Sequence, residues 1–122
     1  MAPGTSDPCE VLFVQGANPV VMCPDTKAVL AAFGRDDVFT VVHEQVLTDT
    51  ARYADIVLPA VTQIEQDDVV PAWGHLYIGA NNSAIDPLGE SVSNTELFRR
   101  LAGVMGYTEP ELFMSDVELI DE

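Results

Sequence analysis

Three stretches of the chain, "EVLFVQG", "VFTVVHE" and "DIVLP", are apolar almost without interruption over the length of a strand. Continuous rather than alternating hydrophobicity predicts strands buried on both faces, as in parallel sheets. Between the first two lies "PDTKAVLAAFG", where Pro24 and Asp25 open a helix, Val29, Leu30 and Phe33 line one face, and Gly34 ends it. "TDTARYA" predicts a short polar turn of helix capped by Thr48, and Pro59 stops the third strand. Strand, helix, strand, helix, strand in this order predicts an α/β fold: a Rossmann-like three-layer domain with a mostly parallel sheet and flanking helices.

The pattern loosens from Ala60 to Pro87. "TQIEQ" reads as a helical turn, "HLYIG" as a short strand and "NNSAIDPLGES" as loop. Order returns in "SNTELFRRLAGVMGY": Ser93 or Asn94 caps a helix, Leu97, Phe98, Leu101 and Met105 form its apolar face, and Gly106 closes it. The expected organisation is a leader or cloning remnant over residues 1–8, one α/β domain over 9–107, and an acidic tail over 108–122 that forms a short helix or frays.

Length and composition suit one folded domain, with 48% hydrophobic and 20% charged residues among 122. Charge changes the picture. Twenty acidic residues against five basic give a net charge of −15, which excludes nucleic acid as a partner, because phosphate neutralisation needs clustered Lys and Arg. Any anionic ligand must be held by backbone N–H groups and neutral side chains. No apolar run reaches the length of a membrane span. Cys9 and Cys23 fit no metal or redox spacing, and a reduced cytoplasmic pair is expected.

Candidate chemistry gathers where strands end. In open parallel sheets ligands bind beyond the carboxyl ends of the strands. The first strand ends in Gly16-Ala17-Asn18 and the second in His43-Glu44. Gly16 lets a ligand approach the backbone closely. Asn18 offers a donor and an acceptor. Glu44 suits the N–H edge of a guanine or a ribose hydroxyl, and Thr48 lies at a helix start that favours an anion. The bland reading stays open here: Gly-Ala-Asn-Pro is also an ordinary turn, and Asp55 reads as a structural carboxylate bonding nearby backbone N–H groups. Glycine-rich phosphate loops and a Ser-His-Asp order are absent, and no residue is assigned a catalytic or metal-ligating role.

Together, "VQGANPVVMCPD", "FTVVHEQVLTDTARYADIVLPAVTQIEQDD" and "PLGESVSNTELFRRLAGVMG" resemble one region of the molybdopterin oxidoreductases of the dimethyl sulfoxide reductase and formate dehydrogenase type, from about Val11 to Tyr107. The resemblance implies a domain that grips the guanosine end of one molybdopterin guanine dinucleotide in a molybdenum or tungsten enzyme. It implies cofactor contacts from Gly16, Asn18, His43, Glu44, Thr48, Gln66 and Asn94. A 4Fe–4S cluster would belong to other parts of such an enzyme, since neither cysteine here has the spacing for one. The implied partners are the remaining domains of the parent enzyme, and the fragment alone is expected to catalyse nothing. Glu44 stands where relatives commonly have Asp. "QDDVVPAWGHLYIGANN" replaces their Asn-x-Glu-Gly-Arg-like run, so Trp73-Gly74-His75 marks a distinct subgroup. A free-standing nucleotide-binding module and an acidic interaction domain remain the alternatives.

Overall fold

In the computed structural model, which describes residues 9–121, Val11–Gln15 forms β1, Phe39–Glu44 forms β2 and Ile56–Pro59 forms β3. The leader expected over residues 1–8 lies outside the described residues. The chain divides into two compact units, one ending at Ala60 and the other beginning at Val61.

In the first unit the three strands make a parallel sheet in the order β1-β2-β3. Val14 pairs with Val42, and Val42 with Val57. The α/β fold expected from the apolar runs is present, with β2 in the centre. Thr40, Val42 and His43 on that strand are buried, whereas Val11, Ile56 and Val57 on the flanking strands are exposed. One sheet face carries the core, where Val14 and Val42 meet Val20, Phe33 and Ala51, with Leu12, Val29 and Leu30 packed around them. Burying one such side chain contributes roughly 1.5–3 kcal/mol.

Two helices rather than one join β1 to β2. Pro19–Met22 forms a single-turn α1 with proline in its first position, and Thr26–Phe33 forms α2. Asp25 separates them in a left-handed conformation (φ 58°), and its carboxylate accepts from the Ala28 N–H as the cap of α2. The predicted polar turn before β3 is a 3₁₀ turn over Ala51–Tyr53. Asp55 plays the structural part expected of it: Oδ2 accepts from the Thr40 N–H at 2.7 Å.

The second unit starts with a 3₁₀ turn over Gln63–Glu65, followed by the antiparallel strands β4 (Asp68–Pro71) and β5 (Ile78–Asn81). The sequence predicts no strand at β4. Its four residues, two of them Asp and Pro, are too few and too mixed to show a period. The long helix α3 covers Asn94–Met105, is capped by the Ser93 hydroxyl on the Glu96 N–H, and ends at Gly106 with φ 79°. A 3₁₀ turn over Pro110–Phe113 packs on α3, and a short acidic helix α4 covers Asp116–Asp121. The face of α3 predicted to be apolar and inward is partly open, with Phe98, Leu101 and Met105 exposed and Ala102 buried.

Candidate functional site

The turn after β1 is built from backbone first. Gly16 adopts φ +54°, and its N–H donates to the His43 carbonyl at 3.3 Å, tying the end of β1 to the end of β2. A Cβ placed on Gly16 would meet nothing within 4 Å. Glycine is therefore needed for the left-handed conformation and not to relieve a clash. Gly16→Ala should cost about 1–2 kcal/mol as backbone strain. In urea unfolding the midpoint should fall with the slope unchanged; an unchanged midpoint would mean that the turn relaxes to a negative φ.

Asn18 is the next element of the turn, and its side chain points across the unit. Asn18 Oδ1 accepts from the Thr50 hydroxyl at 2.7 Å and from the Thr50 N–H at 3.2 Å. The same hydroxyl accepts from the Val20 N–H at 3.1 Å, and Thr50 is wholly buried. Asn18 thus fastens the Gly-Ala-Asn-Pro turn to the loop before β3. With Oδ1 committed, the amide Nδ2 is what Asn18 offers a ligand.

His43 is 1% exposed and lies inside the sheet beside Gln15 and Leu58. A ligand at the strand ends therefore meets Glu44 before it meets this ring. Glu44 is half-buried, with Oε1 accepting from the Gln45 N–H at 2.8 Å. The second carboxylate oxygen and the remaining lone pairs are left to a ligand. Thr48 spends its Oγ1 lone pair on the Ala51 N–H at 3.2 Å. A single 3₁₀ turn sums few peptide dipoles, so what Thr48 has left to offer is its hydroxyl proton rather than a helix end.

Gly16, Asn18, His43, Glu44 and Thr48 thus belong to the carboxyl ends of two adjacent parallel strands and the loop that follows them. Glu44 also pairs with Pro59 at the end of β3. Glu44 is the one formal charge among these five.

Gln66 and Asn94 lie in the second unit and line one cavity of about 220 Å³, together with Asp67, Asp68, Ser93 and Asp116. Partial burial works to raise the Asp116 carboxyl, but the Arg99 guanidinium at 2.5 Å and the Thr95 hydroxyl hold it below its ordinary range. The cavity is acidic and suits donor-rich neutral groups better than phosphate.

Two residues that organise these features escape sequence reasoning. Thr50 has no local signal, because its partner Asn18 is far away in sequence. Glu65 has one: Thr62-Gln63-Ile64-Glu65 is a capping box. Glu65 Oε2 accepts from the Thr62 N–H (2.7 Å) and hydroxyl (2.6 Å), while Oε1 accepts from the Leu88 N–H at 2.9 Å. Three donors on one carboxylate, led by the Thr62 hydroxyl, hold its pKa below the ordinary value. Asn81 adds a second tie, donating from Nδ2 to the carbonyls of Gln63 and Gln66.

Among the described residues no group of three or more His, Cys, Asp or Glu is placed to hold a metal ion, and no helix is long and apolar enough to cross a membrane.

Comparison with known proteins shows the family. The family model described as "Molybdopterin oxidoreductase" matches residues 3–104. The chain is 47% identical over 116 residues to "Probable oxidoreductase YoaE" of Bacillus subtilis, covering 95% of this chain and 17% of that protein. It is 35% identical over 96 residues to the F420-dependent formate dehydrogenase subunit alpha of Methanocaldococcus jannaschii, covering 79% of this chain and 14% of that protein. Identity to a dimethyl sulfoxide/trimethylamine N-oxide reductase of Cereibacter sphaeroides is 34% over 107 residues, covering 86% of this chain and 13% of that protein. The chain thus spans less than a fifth of the length of each of these relatives.

Proposed function

Since the chain belongs to the molybdopterin oxidoreductase family, we propose that its strand-end rim holds the guanosine end of one molybdopterin guanine dinucleotide within a larger molybdenum or tungsten oxidoreductase. The observation that carries this reading is the rim itself. Gly16 opens the backbone in a left-handed turn, Asn18 is locked by Thr50, and Glu44 stands at the end of the neighbouring strand.

The donors and acceptors suit a guanosine. A carboxylate with free lone pairs accepts the parallel N1–H and amino N–H bonds of a guanine edge, or takes a ribose hydroxyl. Asn18 Nδ2 and the Thr48 hydroxyl supply neutral donors. No lysine or arginine stands among the five rim residues, so phosphates fall to backbone N–H groups or to the rest of the enzyme. In the second unit, Gln66 and Asn94 are proposed as further cofactor contacts. The bound group supplies oxygen-atom or electron–proton transfer at its metal. The residues of this chain bind and orient it and make no bonds, and an iron–sulfur cluster, if the enzyme has one, is ligated elsewhere.

Titration of isotope-labelled protein with GDP, with ADP as control, tests the reading. Amide shifts within the first unit should be confined to Gly16–Asn18 and His43–Thr48, and should appear with GDP and not with ADP. Glu44→Ala should weaken GDP at least about tenfold while leaving the melting temperature nearly unchanged, because this carboxylate has a single weak structural tie. Equal shifts with both nucleotides would indicate a general nucleotide module, and equal affinity in the variant would remove Glu44 from the site.

A further inference from the structure

The β4–β5 hairpin projects side chains of a kind that a soluble surface ordinarily hides. Its connection, residues 72–77, carries Trp73, Leu76 and Tyr77, all at least 80% exposed, and Ile78 at the start of β5 is 70% exposed. Trp73 and Leu76 are as open as in an extended chain. His75 contacts Tyr77 edge to face, with ring centroids 5.5 Å apart. That contact shapes the tip without covering it. No other strand pairs with β4 or β5 among the described residues, and a two-stranded ladder is marginal in water unless something packs on it.

The charge pattern sets this segment apart as well. No charged residue stands between Asp68 and Asp86, in a chain whose net charge is −15. A neutral, aromatic projection on an acidic body has the composition of an interface core, where charge is depleted and Trp and Tyr are enriched. The acidic body also narrows the choice of occupant. Two copies of the chain would repel each other through −15 on each, and an anionic membrane surface would repel it likewise. The relatives, by contrast, are more than five times its length, so most of their polypeptide lies outside the region this chain matches.

We propose that the β4–β5 hairpin is a docking element whose tip, Trp73, Leu76 and Tyr77, seats in an apolar, uncharged cleft of the longer polypeptide to which these residues belong. Polypeptide outside the 122 residues would bury the tip, and the hairpin would hold these residues in register with the remainder of the longer polypeptide. Nothing in this inference depends on the guanosine reading, and the nucleotide titration above fails or succeeds independently of it.

Hydroxyl-radical footprinting read by mass spectrometry tests the proposal, applied to the 122-residue chain and to the full-length product of the reading frame that contains it. Buried Phe33 serves as the low reference in both. Trp73, Leu76 and Tyr77 should be modified rapidly in the chain alone and at least tenfold more slowly in the longer protein. Equal rates in the two would overturn the proposal. Protection that grows with concentration in the chain alone would overturn it in favour of a second copy. A reading frame closed at both ends of these residues would overturn it as well.

Discussion

Thr50→Val is expected to lower the thermal midpoint of the first unit by about 10 °C, while Thr50→Ser stays close to wild type. Valine keeps the shape of threonine and deletes the hydroxyl. That hydroxyl accepts from the Val20 N–H and donates to Asn18 Oδ1 at a position that is 0% exposed, where water cannot replace it. Each buried polar group left without a partner costs about 1–3 kcal/mol. Asn18 Oδ1 keeps the Thr50 N–H at 3.2 Å, so the loss falls mainly on the Val20 N–H. A total of about 2–3 kcal/mol corresponds to a midpoint shift of about 10 °C in a chain of this size. Circular dichroism melts read the shift, and amide spectra should show Gly16, Ala17 and Asn18 moving even where the rest of the sheet does not. A valine variant melting within about 1 °C of wild type would mean that the turn and the loop before β3 are held by packing alone.

The second large effect is expected at Glu65. Its carboxylate gathers the Thr62 N–H and hydroxyl and the Leu88 N–H, joining the turn after Val61 to the loop before α3. Glutamine at this position turns an NH2 group toward one of those donors and breaks at least one tie. Amide exchange at Leu88 or Thr62 should speed up at least about tenfold. The pH dependence follows from the direction of the shift. The folded-state pKa lies below the ordinary 4.5, so the stabilising contribution is fully present above that value. It is lost as pH falls through the lower folded-state pKa. Wild-type protein should therefore lose stability on acidification below roughly pH 4.5 more steeply than Glu65→Gln, which has no carboxyl to titrate there. Parallel slopes for the two proteins would show that other carboxylates carry the acid sensitivity.

Both residues lie beside positions that are legible in the sequence, but Thr50 carries no local signal of its role and Glu65 carries only part of one. Asn18 stood out as a polar residue after a strand-end glycine, and it does sit there. What its side chain does is decided by Thr50, which in the sequence is one polar position among several in "TDTARYA". Glu65 shows the opposite case, since a capping box is written locally in Thr62-Gln63-Ile64-Glu65. The bond to Leu88 is a long-range addition that no spacing rule contains. In the sequence His43 is a polar residue at a strand end, and its strand does end there. Its place on the central strand of three buries the ring, and strand order is not visible in the apolar runs.

The sequence by itself determined the parallel sheet of the first unit, the helix ends at Gly34 and Gly106, the acidic surface and the family. Each of these depends on local physics or on a long specific motif: uninterrupted apolar runs, glycine where a helix stops, and the Thr-x-Thr-Ala-x-x-Ala-Asp-Ile-Val-Leu-Pro block. Tertiary structure alone decided that Asn18 is spent on Thr50, that β4 pairs with β5 to raise Trp73 and Leu76 into the open, and that the apolar face of α3 stays partly uncovered. The physical reason is common to all three. Hydrogen-bond partners and burial are settled between segments rather than within them, where backbone geometry chooses among many chemically equivalent groups, and short-range periodicity carries no record of that choice.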